Sequence, residues 1–186
     1  MQLVLAVLVK DTKIDSRMVP AGYAALLPEN VDMQVVFDGL DFASAGNELI
    51  TAQIQTEDDV RAMGEKFGEK LVGGKSLAIV LKQLILTSDL YDLVIFGNVR
   101  KINGKDAQLK LWISAGDSDK SIAAIQELAK KEPDLSQVSF GMMMAKGFAK
   151  TNSFDGRLQW AIVLNEDGSM TVNGQSLTGP NGTDQQ

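Results

Sequence analysis

The sequence predicts an α+β fold, a bent antiparallel β-sheet with about three helices packed on one face. Three observations carry this. Apolar runs of strand length recur along the chain, and two Asn-Gly pairs and an Asp-Gly stand where tight hairpins would join neighbours. Three other segments space their apolar residues as helices do. One long strand switches its inward parity midway, as a β-bulge does, and a bulge bends the sheet.

The elements follow in order. Leu3 to Val9 is an apolar run that suits a buried strand; no positive charge precedes it, and Lys10-Asp11-Thr12-Lys13 offers no small-x-small cleavage pattern, so it is not read as a signal peptide. Val31, Met33, Val35 and Phe37 alternate with polar or smaller residues, a strand ended by Gly39 and Asp41. Thr56 precedes Glu57-Asp58-Asp59, an N-cap followed by acids in the first turn, and Val60, Met63, Phe67 and Leu71 then form a stripe expected to face the sheet. Gly73-Gly74 closes this helix, and Gly64 and Gly68 on it suggest close approach to a neighbour.

Leu77 to Leu86, Leu90 to Val99 and Leu109 to Ile113 are strands. Lys82-Gln83 marks the bulge in the first, and Asn103-Gly104 turns the second into the third. Asp117 or Ser118 caps a helix with the stripe Ile122, Ile125, Leu128 and Ala129, ending at Lys130-Lys131 before Pro133. A further helix runs from about Ser136 to Lys150 and is stopped by Asp155-Gly156. Leu158, Trp160, Ile162 and Leu164 alternate in a strand, Asn165 to Gly168 turns it into Met170-Thr171-Val172, and Asn173-Gly174 ends that hairpin.

Composition limits the chemistry. The 186 residues suit one domain, residues 1–177, and the remaining stretch 178–186 has no apolar side chain to pack and is expected to be a disordered tail. A strand opening at the first residue suggests a segment of a longer protein, with any signal or anchor upstream. The absence of Cys and His removes disulfides, thiolate nucleophiles, imidazole bases and the zinc sites built on them. Eighteen basic against 24 acidic residues give a net charge of −6, which argues against a nucleic-acid partner. No run reaches the length of a membrane span.

The candidate motifs do not assemble into a catalytic or cofactor site. Gly73-Gly74-Lys75-Ser76 resembles the end of a phosphate loop, but Glu69 stands where the first Gly belongs, and the Lys-Ser opens a strand instead of a helix. Asp117 with Asp119, and Asp11 with Asp15, lack the Gly and Glu of a calcium loop. No Ser stands in Gly-x-Ser-x-Gly or three residues before a Lys. Glu57-Asp58-Asp59 reads as a charged first helical turn. The expectation is therefore a non-enzymatic protein with no cofactor and no metal.

Met142-Met143-Met144 stands apart. Three consecutive methionines point in three directions around a helix, and Met conforms to irregular apolar partners. Val138, Met142, Ala145 and Ala149 share one face, which Met143, Met144 and Phe148 widen. Leu3 to Val9 and Leu93-Val94-Ile95-Phe96 are apolar at both parities, so both sheet faces call for a cover. The candidate site is an apolar groove at Met142, Met143, Met144 and Phe148, admitting a lipid chain or another protein segment.

Leu27-Pro28 before the alternating strand, Gly97-Asn98 within a long strand, and the closing run Asp167-Gly168 to Asn173-Gly174-Gln175-Ser176-Leu177 resemble the C-terminal region of the YdgA-like family of bacterial envelope proteins, related to the larger AsmA-like group. The similarity extends from about Leu27 through Leu177. It implies a longer protein with an N-terminal inner-membrane anchor and a periplasmic body, and it supplies no catalytic residues. The expected function is an envelope module offering an apolar surface to lipid or a protein segment. The alternative is a structural or assembly domain of a larger membrane-anchored protein, without a ligand.

Overall fold

Antiparallel pairing of neighbouring strands and a bulge at Lys82-Gln83 determine the architecture. The structure is a computed structural model that describes residues 2–12, 19, 21–24, 26–52, 56–73, 76–102 and 107–177. Its strands are β1 (Gln2–Val9), β2 (Asn30–Asp38), β3 (Ser76–Thr87), β4 (Asp92–Ile102), β5 (Gln108–Gly116), β6 (Lys150–Thr151), β7 (Leu158–Leu164), β8 (Met170–Val172) and β9 (Gln175–Ser176). The helices are a single turn, α1 (Ala21–Ala24), and four longer ones: α2 (Phe42–Thr51), α3 (Glu57–Val72), α4 (Ser118–Ala129) and α5 (Leu135–Gly147).

The nine strands make one open antiparallel sheet in the order β1-β2-β3-β4-β5-β7-β8-β9, with β6 beside β7. The α+β class and the antiparallel sheet are as the sequence predicts. The bulge also stands where Lys82-Gln83 interrupts the parity: Leu81 pairs with Gly97, but the next pair is Leu84 with Ile95. On the other side Gln34 faces Gln83 while Val35 faces Leu81. The register therefore keeps Leu81 and Leu84 on one face, with Val35, Met33 and Ile95.

Gly97 stands at a close approach of β4 and β5. A Cβ there would lie 2.3 Å from the Lys110 carbonyl oxygen and 3.0 Å from the Leu111 Cα, so only glycine lets β4 and β5 approach as they do. On the adjacent position Phe96 stacks on its cross-strand partner Trp112, with centroids 5.5 Å apart. Both rings are exposed.

Arg157, just before β7, clamps the sheet at the other end of β4 and β5. Its Nη1 donates to Asp92 Oδ2 at 2.5 Å, its Nε to Ser114 Oγ at 2.9 Å and its Nη2 to the Ser114 carbonyl at 3.2 Å. One planar guanidinium thus ties three consecutive strands of the sheet.

Several expectations are corrected. Asp41 does not merely end a strand; it caps α2, accepting from the Ser44 amide at 2.9 Å and the Ser44 hydroxyl at 2.7 Å. Asp117 adopts φ 46° and makes no side-chain cap bond to α4. Thr56 caps α3 as read, and Asp59 completes a capping box with it, but Val60 is 49% exposed and no residue of α3 is fully buried. Met63, Phe67 and Leu71 are half-buried, and α3 packs with α2. Gly64 and Gly68 face open space, so close packing is not their explanation. β4 starts at Asp92 because the Ser88 hydroxyl accepts from the Leu90 and Tyr91 amides and holds a turn there. α5 ends at Gly147, and Lys150 leaves the helix to pair with Gln159. Asn103-Gly104, Gly74-Lys75, Asp15 and the stretch 178–186 lie outside the described residues.

The core is concentrated under α4 and α5. Ile122, Ile125 and Leu135 are buried on those helices and Ala115 beneath them, with smaller buried points at Leu40, Ala45 and Val172. No helix among the described residues is long and apolar enough to cross a membrane.

Candidate functional site: an apolar cavity under α4 and α5

The stripe Ile122 and Ile125 turns α4 toward the sheet, and α5 packs beside it as the second arm of a helical hairpin. Trp160 anchors that hairpin: its Nε1 donates to the Ala145 carbonyl at 2.7 Å, tying β7 to α5. Between helices and sheet lies a cavity of about 460 Å³. Its floor is the inward parity of β4, β5 and β7, including Leu93, Ile113, Leu158, Trp160 and Ile162, and its roof includes Ile122, Ile125, Val138, Met142 and Ala145. This volume and apolar lining are those of a small-molecule site.

Polar groups are few and set at particular points. Tyr91 donates its hydroxyl to the Leu26 carbonyl at 2.8 Å, and both residues line the cavity. Partial burial pushes the Tyr91 phenol above its ordinary range. The Ser121 hydroxyl donates to the Leu90 carbonyl at 2.5 Å. Ser118 Oγ is buried with no hydrogen-bond partner among the described residues, and Ser118 belongs to the lining. Lys146 contributes a cation to the lining, paired with Asp119 of α4.

The four groove residues expected from the sequence are placed differently from one another. Met142 lines the cavity. Met143 and Met144 are exposed, and the Met143 sulfur accepts from Gln126 Nε2 of α4 at 3.7 Å. Phe148 is half-buried just beyond the end of α5, where its carbonyl accepts from Asn173. Sequence reasoning did not find the residues that complete the cavity. Ile122, Ile125, Leu158 and Trp160 are visible as inward stripes, but Leu26 and Tyr91 come from loops whose composition carries no such signal.

Among the described residues, no group of three or more acidic side chains is arranged to hold a metal ion. The site's chemistry is that of a partly open apolar cavity with a hydroxyl and an ion pair at its margin: it can take an apolar chain and leave a polar end near Ser118 and Lys146. Compared with protein-family models, with curated proteins and with solved structures, the chain matches none.

Proposed function

We propose that this protein is a non-enzymatic binding module that encloses an apolar chain, that of a lipid, between the α4–α5 hairpin and the sheet. The observation that carries the reading is the cavity of about 460 Å³ whose walls are almost wholly apolar. An acyl chain needs such walls, because each buried CH₂ gains about 0.8 kcal/mol on leaving water. The Lys146–Asp119 ion pair and the Ser118 hydroxyl suit a polar head at one end. The resemblance to YdgA-like and AsmA-like proteins favours a periplasmic setting, with an upstream segment anchoring the protein to the inner membrane.

A second reading, an assembly domain without a ligand, is favoured by the exposed apolar strand β1. Native mass spectrometry of the purified chain, followed by titration with a fluorescent fatty acid, separates the two. Co-purifying lipid or saturable binding, lost in Met142→Glu and Val138→Trp while circular dichroism is unchanged, supports the lipid module. A ligand-free chain with no saturable binding leaves the assembly domain.

A further inference from the structure

Among the described residues, the outer edge of β1 has no strand beside it and carries none of the charges, prolines or bulges that keep an edge strand from pairing. Its eight residues, Gln2–Val9, contain no charge and no Pro, and they pair with β2 in an unbroken register from Gln2–Asp38 to Val9–Val31. Leu3, Leu5 and Val9 are exposed on one face, and Val4 and Leu8 on the other, at 54% and 64% for the last two. A β-strand added at this edge supplies backbone hydrogen bonds and sets an apolar side chain beside each of these residues on its own face.

We infer that β1 pairs antiparallel with β1 of a second copy, about a two-fold axis through Ala6. In that register Leu3 opposes Val9, Val4 opposes Leu8, Leu5 opposes Val7, and Ala6 opposes its own copy. Every pair on either side of the axis matches one Leu with one Val, and the smallest side chain lies on the axis. No like charges meet: Gln2 opposes Lys10. Residue numbers in each pair share parity, so the face that carries the cavity continues across the junction. The opposite end of the sheet is the two-residue strand β9, too short to propagate pairing, so the contact closes as a dimer and not a fibre. The inference is independent of what the cavity binds.

The chain has no cysteine, so single-cysteine variants report the register directly. At the axis the paired Cα atoms come within the span of a disulfide, whereas Val4 and its own copy lie four residues apart along the strands, about 13 Å. Ala6→Cys is expected to form a disulfide-linked dimer under mild oxidation, and Val4→Cys is not. The double variant Val4→Cys with Leu8→Cys should restore cross-linking. Sedimentation of the untagged chain is expected to give a dimer that Leu8→Lys converts to a folded monomer. A monomeric parent chain at tens of micromolar, a dimer untouched by Leu8→Lys, or cross-linking at Val4 as fast as at Ala6 would each overturn the proposal.

Discussion

Asn173 donates its Nδ2 to the Phe148 carbonyl at 2.8 Å, joining the turn after β8 to the end of α5. The same side chain donates to the Gln159 carbonyl at 2.9 Å and accepts from the Ala161 amide at 2.9 Å. Its amide donates to the Ala161 carbonyl at 2.8 Å. β6 pairs with β7 at Leu158 and Gln159, and β8 pairs from Ile162 onward, so Asn173 fills the gap between two short strands on one edge. It fixes where α5 stops, and so holds one wall of the cavity against Trp160.

Asn173→Gly tests this role without forcing the backbone, since position 173 has φ 52° and glycine accepts that conformation. Three side-chain hydrogen bonds disappear. The expected loss is about 2–3 kcal/mol in urea unfolding, with Trp160 fluorescence altered in the native baseline. A loss under about 0.5 kcal/mol would show that water replaces the side chain at no cost.

Two kinds of glycine should respond oppositely to alanine. Gly97→Ala places a methyl against the Lys110 carbonyl and should cost about 2–4 kcal/mol. Gly64→Ala and Gly68→Ala add a methyl in open space on a helix and should each stabilise by about 0.5–1 kcal/mol. Thermal midpoints of the three variants decide it.

The Ser44 amide and then the Ser44 hydroxyl, both donating to Asp41, hold its carboxyl below the usual range. A carboxyl depressed in the folded state contributes stability above its unfolded pKa, about 3.9, and loses that contribution as pH falls through the folded value. Asp41→Asn keeps a capping oxygen but no charge. The gap in urea midpoint between parent and variant, parent higher at neutral pH, should therefore narrow below about pH 4. A gap that stays constant down to acid would show that the charge is not coupled to folding.

Much of the sheet is legible in the sequence because burial on one face imposes period two over long runs. β1, β2 and β3 extend by at most a residue or so beyond their apolar runs, and Lys82-Gln83 marks the bulge because it breaks parity inside one of them. The elements that escape are those with little pattern of their own. β6 and β9 are two residues each, and their pairing depends on what Asn173 and its neighbours do. α2 carries a cap whose first turn, Phe42-Ala43-Ser44, has no acid to announce it. The site is only half legible: Met142 stands out in the sequence, but the cavity depends on Trp160 reaching α5 and on Tyr91 reaching Leu26, contacts far apart in the chain. Met143 and Met144 follow the helix to its exposed side.

The cavity contains its own reporter, and this gives the most direct test of the account. The chain has two tryptophans; Trp160 lines the cavity, and Trp112 stacks on Phe96 on the other face of the sheet. Trp112→Phe keeps an aromatic ring in that stack and leaves Trp160 as the only source of indole emission. Titrating this variant with a fatty acid brominated along its chain is expected to quench Trp160 saturably, at one chain per protein, and the quenching should vanish when Met142→Glu is added to the folded variant. Emission that declines only in proportion to added quencher, or saturable quenching that survives Met142→Glu, would contradict an acyl chain held beneath α4 and α5.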